Sequence, residues 1–422
     1  MGRRQATNGA PAEATGLWDL AAGRALWYCG AMSFSCALAS RCGGCPWHER
    51  PYAEQLDAKR AELAQGLRAA GLDDALARGA ELRSVGVAGI RDKADLALRG
   101  DPDGVRLGLW DHAHAAVVDL PSCPLMTAPL AAWYAALRAD PPPIAAIGDA
   151  PARASLRLRV APDGRRGVWL DLANAAIKAL LDEERWLSRQ LAAGVVVELG
   201  QRRKPVVRRP EGSLGLGREA ELGPWFATWL GDGAREVALF GPVGGFSQPG
   251  LASNRALIAL VRAAALPPLR SGARRWLELG AGQGNLTLPL AAEGAHVHAL
   301  DTDASALDGL ARAAAAAGLA GRVTPEVASL DGPALARHLA VADAVLADPP
   351  RSGLRGALSA LATLPAVSRP ATLVYVSCHP EALAADAGRL APLGYRLDAL
   401  AGVDQFPETP HAEWVARFTR AS

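Results

Sequence analysis

The sequence predicts an α/β protein: a doubly wound parallel sheet in the C-terminal half, preceded by a cysteine-bearing N-terminal region and a central α+β part. Two observations predict it. From about Pro224, apolar runs (RRWLELGAGQG, HVHALDTD, DAVLADPPR, ATLVYVSC) alternate with Ala-rich helical stretches, the pattern of parallel strands joined by crossover helices. Upstream, residues 84 to 122 and the stretch SLRLRVAPDGRRGVWLDL alternate apolar and polar residues, the latter around a Pro162-Asp163-Gly164 turn, as antiparallel strands do.

Taken in chain order, residues 1–31 read as a disordered N-terminal extension, because the first fifteen are small and polar with nothing to bury. Residues 32–60 hold Cys36, Cys42 and Cys45 in a C-x5-C-x2-C pattern. YAEQLDAKRAELAQGLRAAGL, which starts at Tyr52, repeats apolar positions at helical spacing and ends at a glycine, so a helix follows the cysteines. Residues 61–223 form the central α+β domain. It carries Cys123, Arg91, Lys93, Arg153, Arg157, Arg159, Arg165 and Arg166, and then Gln201-Arg202-Arg203-Lys204. The ordinary reading of any one of these cations is a solvated side chain on an exposed strand face. Residues 224–422 form the doubly wound domain.

Charge and composition narrow the function. Forty-five basic and 43 acidic side chains leave a net charge of +2, so any polyanion must be met by a local patch. No run of eighteen apolar residues occurs and Met1 to Thr15 lacks the apolar core of a secretion signal, which predicts a cytoplasmic protein with no membrane contact. Six cysteines in so long a chain are too few for a disulfide scaffold.

The first apolar run of the C-terminal half ends in Glu278-Leu279-Gly280-Ala281-Gly282-Gln283-Gly284, a glycine-rich turn between strand and helix that lets a backbone approach a ligand closely. The next strand ends in Asp301 and Asp303, about 20 residues on, where a carboxylate accepts hydrogen bonds from ribose hydroxyls. The pair fits S-adenosylmethionine (SAM) or a dinucleotide. Asp348-Pro349-Pro350-Arg351 at the end of a later strand favours the former.

Cys378 ends the strand LVYVS. Such a cysteine is ordinarily inert and buried. The chemistry that would need it is methylation at C5 of a uracil, since that carbon is a poor nucleophile until a thiolate adds at C6. A carboxylate must then remove the C5 proton. Glu413 in PETPHAEW is a candidate, not separable in sequence from a surface glutamate.

CALASRCGGCPW, SCPLM, GQRRKPV, GGFSQPG, ADPPRSG, YVSCHPEALAAD and DQFPETPHAEWV together resemble the RNA uracil-5 methyltransferases, and within them the iron–sulfur type acting on 23S ribosomal RNA, from about Cys36 to the C-terminus. The resemblance implies a Rossmann-like SAM methyltransferase domain. It also implies a [4Fe–4S] cluster on Cys36, Cys42, Cys45 and Cys123, with Cys378 as nucleophile and Glu413 as general base. For SAM it implies Gln248, Glu278, Gly280, Gly282, Asp301 and Asp348, the last alternatively holding the target uracil. RNA is the implied partner, with no protein partner. A transfer RNA substrate stays open, as does a non-catalytic RNA-binding protein of the same fold. Four cysteines also suit structural zinc, although an x5 spacing is longer than the usual knuckle. Two departures stand out: Glu278-Leu279-Gly280-Ala281-Gly282 replaces the family's Asp-x-x-Cys-Gly loop, and Asp301 replaces a frequent Glu. The 35 residues before Cys36 leave no room for the β-barrel RNA-binding domain of some members, which resembles the shorter ones.

Overall fold

The computed structural model describes residues 35–111, 114, 116–147, 152–173 and 176–420; the expected extension at 1–31, with Cys29, lies outside them. Two eight-stranded sheets and a two-stranded hairpin organise the chain. In the C-terminal sheet the strands run Glu81–Ser84, Tyr395–Asp404, Glu413–Arg420, Thr372–Ser377, Ala344–Ala347, Arg275–Leu279, His296–Asp301, Val323–Val327. All are parallel but Glu413–Arg420, which runs antiparallel to both neighbours. The chain leaves Arg275–Leu279 toward one edge and then returns to its other side at Ala344–Ala347. That reversal of strand order is where sheets of this kind open a crevice at the C-terminal strand ends.

The central strands of this sheet, RWLEL, AVLA and TLVYVS, are buried almost throughout, which is why they read as continuous apolar runs and not as alternation. The hairpin Gly223–Leu230 with Arg235–Gly241 is antiparallel. Its Phe226, Ala227 and Leu239 share one buried cluster with Leu257 and Leu260 of helix Leu251–Arg270 and Leu310 of helix Ala304–Ala317.

The structure differs from the sequence division at residue 60. Helix Tyr52–Ala69 and strand Glu81–Ser84 belong with the C-terminal sheet: the strand extends its edge in parallel beside Tyr395–Asp404. Leu63 and Leu67 pack in one buried cluster with Leu383, Ala384 and Leu390 of helix Pro380–Leu390. Gly66 permits this approach, because a Cβ there would stand 2.9 Å from that of Ala384.

The central sheet runs Ala116–Asp119, Gly104–Asp111, Lys93–Asp101, Ala152–Val160, Arg166–Leu172, Val196–Leu199, Lys204–Arg208, Leu214–Leu216. The hairpin predicted around Pro162-Asp163-Gly164 pairs Val160 with Arg166. One pair departs from the antiparallel expectation: Arg166–Leu172 and Val196–Leu199 are parallel, because helices Ile177–Asp182 and Glu184–Ala192 carry the chain back across the sheet. Helix Ala128–Ala139 buries Trp133, Tyr134 and Leu137 in the cluster that contains Leu98, Leu156 and Leu158 of the sheet. Among the described residues no helix is long and apolar enough to cross a membrane.

Candidate active site

A cleft of about 880 Å³ opens at the strand ends where the order reverses, and residues of both sheets line it. The glycine turn forms its floor. Gly280, Gly282 and Gly284 all have positive φ (81°, 53° and 89°), and a Cβ on Gly280 would meet the carbonyl oxygen of Asp348 at 2.7 Å. Left-handed backbone at such close approach is what glycine alone tolerates well. Asp301 Oδ2 accepts from the Gly282 N–H at 2.7 Å and Oδ1 from that of Asp303 at 2.9 Å. Asp301 thus faces the cleft, while Asp303 caps helix Ala304–Ala317 through the N–H groups of Ser305 and Ala306. Of the two acids read from the strand end, the second has a structural duty.

Glu278 and Gln248 lie just below. Glu278 is buried, its carboxyl pushed up to about 8 chiefly by that burial, and its Oε2 meets no hydrogen-bond partner among the described residues. A buried carboxylate oxygen left bare costs free energy until a donor reaches it, so the site fits a ligand bringing amino or hydroxyl hydrogens. Gln248 is buried, its Oε1 accepting from Gln405 Nε2 at 3.2 Å.

One end of the cleft is built where three adjacent strands end or begin. Asp348 follows Ala344–Ala347, Cys378 follows Thr372–Ser377, and Glu413 opens Glu413–Arg420. Ser377 pairs with Trp414 in antiparallel register, which puts Cys378 opposite Glu413 one step further on. Burial pushes the Cys378 thiol up, and the Glu413 and Asp348 carboxylates add to this; Arg351, hydrogen-bonded to the sulfur, acts the other way. Glu413 is 4% exposed, and burial followed by the charge of Asp348 holds its carboxyl well above the usual carboxylate range. Asp348 is pushed up by burial as well. Two carboxyls so close to one another cannot both ionise cheaply, so together they retain a proton at pH values where isolated ones would not.

The roof comes from the central domain, and here the structure departs from the reading of solvated arginines. Arg159 is 1% exposed: its Nη2 donates to Gly245 O at 2.8 Å and Ser247 Oγ at 3.1 Å. Arg157 Nη1 donates to Gly244 O at 2.8 Å. The two guanidinium groups therefore clamp the loop that carries Phe246 and Gln248. Phe246 is 72% exposed at the cleft, and Lys93 Nζ lies 5.2 Å from its ring centre. Burial, then Arg159 and Arg157, push the Lys93 ammonium down to about 7. Arg91 and Arg203 line the same cleft. Lys93 and the two clamping arginines read in sequence as ordinary solvated cations, and Arg351 had no role of its own there; its place directly after Asp348-Pro349-Pro350 was the available signal.

Cys36, Cys42, Cys45 and Cys123 converge at a separate place. The segment Ala39–Cys42 makes one helical turn closed by left-handed Gly43, and Cys45 is buried beside Ile90, Leu125 and Cys123. Burial, with Cys42 and Cys123 as the next causes, pushes the Cys45 thiol up to about 12. Cys123 is raised by burial too, with Cys36 and Cys42 close enough to contribute. Among the described residues no three of these sulfurs lie within 4.8 Å of one another. Tetrahedral zinc would draw four thiolates to about 3.8 Å apart. Four converging thiols are a ligand set for a metal centre of either kind, a single zinc or an iron–sulfur cluster.

The chain is similar to several known proteins. A family model described as tRNA (Uracil-5-)-methyltransferase matches residues 322–420. An uncharacterized RNA methyltransferase of Bdellovibrio bacteriovorus is 37% identical over 90% of this chain and 93% of its own. The 23S rRNA (uracil(1939)-C(5))-methyltransferase RlmD of Chromohalobacter salexigens is 30% identical over 91% and 76%. In fold the chain is similar to the Pyrococcus abyssi tRNA (uracil-54, C5)-methyltransferase in complex with S-adenosyl-L-homocysteine, with a TM-score of 0.61, 22% identity, and 89% and 86% of the two chains covered. The chain belongs to the SAM-dependent RNA uracil-C5 methyltransferases.

Proposed function

We propose that this protein methylates C5 of a uridine in 23S ribosomal RNA through a transient bond between Cys378 and C6 of the base. The observation that carries the reading is the meeting of Cys378, Glu413 and Asp348 at adjacent strand ends beside the glycine turn. SAM supplies an electrophilic methyl group. Gln248, Glu278, Asp301 and the turn at Gly280 and Gly282 hold it, Glu278 giving its bare oxygen to a ligand donor.

The target uridine leaves its stack to enter the cleft, since C5 and C6 are out of reach within a helix. The Cys378 thiol gives up its proton to solvent and its sulfur bonds to C6, which turns C5 into an enolate carbon that would take the methyl group as the methyl–sulfur bond of SAM breaks, leaving S-adenosylhomocysteine. Arg351 stabilises the thiolate as it forms. Glu413 then removes the C5 proton, the electron pair restores the C5–C6 double bond, and Cys378 departs as thiolate. The raised Glu413 carboxyl is a stronger base than an exposed one. Asp348, beside Glu413 in the same cleft, orients the base or the SAM.

Cys36, Cys42, Cys45 and Cys123 hold a [4Fe–4S] cluster, for which four thiolates are a complete ligand set. No step above needs an electron, so the cluster's contribution is to fix the segments that carry it.

Ribosomal RNA is favoured by the 23S names of the relatives; the family model and the solved fold relative carry transfer RNA names and support the second substrate. Nucleoside mass spectrometry with fragment mapping separates them, on RNA from a strain lacking the gene, incubated with protein and SAM. New 5-methyluridine in a 23S fragment is expected. Cys378→Ala should give none, and Glu413→Gln should accumulate a covalent protein–RNA adduct. Wild-type turnover in Cys378→Ala would overturn the mechanism.

A further inference from the structure

Away from the cleft and from the cysteines, His298, Glu326 and His338 meet at the far edge of the C-terminal sheet, with one ligand atom of each within 4.8 Å of the others. They come from three elements: the strand His296–Asp301, the edge strand Val323–Val327 and the helix Pro333–Val341. His298 Nε2 lies 2.7 Å from Glu326 Oε2, and His338 Nε2 lies 3.6 Å from the other oxygen of the same carboxylate. The two imidazole rings stand edge to face, 4.7 Å between centres.

An ordinary histidine–carboxylate pair accounts for one imidazole only. The second faces the remaining oxygen too far for a hydrogen bond, and charging both rings would set two cations side by side against one anion. One divalent ion satisfies all three groups at once: two neutral imidazoles and a carboxylate are a three-donor N,N,O set, with further positions left to water. At metal–donor lengths of about 2.0–2.2 Å the donors sit roughly 3.3 Å apart, so the 2.7 Å pair must open and the 3.6 Å pair draw in, small rotations for side chains that are each partly exposed.

We propose that His298, Glu326 and His338 form a binding site for a divalent transition ion of the zinc class. The ion staples the edge strand and the helix after it to the strand that ends in Asp301. Between that strand and helix lie Ser329, Leu330 and Asp331, which line the cleft on the side of the glycine turn. A clamp at the root of this loop restricts a wall of the SAM site, so it stabilises the fold and tightens SAM binding without touching the reacting atoms.

The test uses the full chain with its cysteine region metallated, treated with a mild chelator and titrated with Co²⁺ under anaerobic conditions. Cobalt bound through thiolates gives an intense sulfur-to-metal charge-transfer band that nitrogen and oxygen donors lack, so ions taken up by cysteines are told apart. One equivalent bound without that band is expected, displaced by Zn²⁺, with a rise in melting temperature. His338→Ala, on a helix surface, should bind this equivalent at least about tenfold more weakly and lose the rise. Glu326→Gln keeps a hydrogen bond to His298 but removes the anion, and should behave likewise while folding normally. Equal uptake by wild type and both variants, or uptake only with the charge-transfer band, would overturn the proposal.

Discussion

Arg351 links two separate sequence features, the Asp348-Pro349-Pro350 turn and Cys378, because its side chain reaches a sulfur 27 positions further on. Burial and the facing carboxylates keep that thiol protonated at neutral pH, and Arg351 is the group that opposes them. In the proposed mechanism both the thiol and the Glu413 carboxyl act without their protons, and both are raised, so the single-turnover rate should climb as pH increases through and beyond neutrality. Arg351→Gln should move that climb to higher pH, with a rate at pH 7 about tenfold below wild type and a smaller deficit in alkali. A uniform loss at all pH values would mean that Arg351 acts on substrate placement instead. Glu278 presents the opposite trade. Its folded-state carboxyl holds a proton up to about 8 whereas the unfolded chain releases it near 4.5, so folding stability falls as pH rises between those values. Glu278→Gln should therefore melt a few degrees higher than wild type at pH 8 without ligand, by calorimetry. It should also bind SAM at least about tenfold more weakly, since an amide cannot ionise to meet the ligand's donors as this carboxyl can.

At the scale of elements, the helix Tyr52–Ala69 ties the cysteine segment to the end of strand Tyr395–Asp404 and to the loop that leads from it to Glu413, the proposed base. Lys59 Nζ donates to Asp404 Oδ1 at 2.8 Å and to Phe406 O at 3.1 Å, and Tyr52 donates to Asp404 Oδ2 at 2.8 Å. Gln55 donates to Glu408 Oε2 and accepts from the Glu408 N–H, while the Trp47 N–H, two residues after Cys45, donates to Glu408 O. Asp404 and Lys59 are both fully buried, so removing the lysine strands a carboxylate in the core. Lys59→Met should lower stability by about 3–5 kcal/mol in chemical denaturation and release the loop between Asp404 and Glu413 to proteolysis. A loss below 1 kcal/mol would show that Asp404 finds another partner. The helix itself was legible from its spacing, as were the glycine turn, the predicted hairpin and the strand ending at Cys378. Its place in the C-terminal sheet was not, because contacts such as Lys59 to Asp404 span 345 positions and leave no local pattern. For the same reason Arg159 looked like one more strand arginine. Its role depends on a loop 86 positions away.

Over the whole molecule, the two sheets divide one cleft between them: the C-terminal sheet brings Asp348, Cys378 and Glu413, and the central sheet brings cations. Arg91, Lys93 and Arg203 line the cleft while the net charge is only +2, so the attraction for a phosphate backbone is concentrated where the base must enter. Each phosphate neutralised releases counterions, and Arg203→Ala should flatten the slope of log affinity against log salt by about 0.7–0.9 for an RNA hairpin while leaving SAM affinity within about twofold. Lys93 adds a pH dependence of its own. With its ammonium pushed down to about 7, it carries its charge below neutrality and loses it above, so RNA affinity at fixed salt should decline as pH rises past 7. Chemistry and binding then run in opposite directions: the single-turnover rate at saturating RNA increases with pH while the RNA concentration needed to saturate increases too. Lys93→Arg, which stays charged throughout, should remove the decline in affinity and leave the rise in rate. If affinity in that variant still falls with pH, another group in the cleft is the one losing its proton.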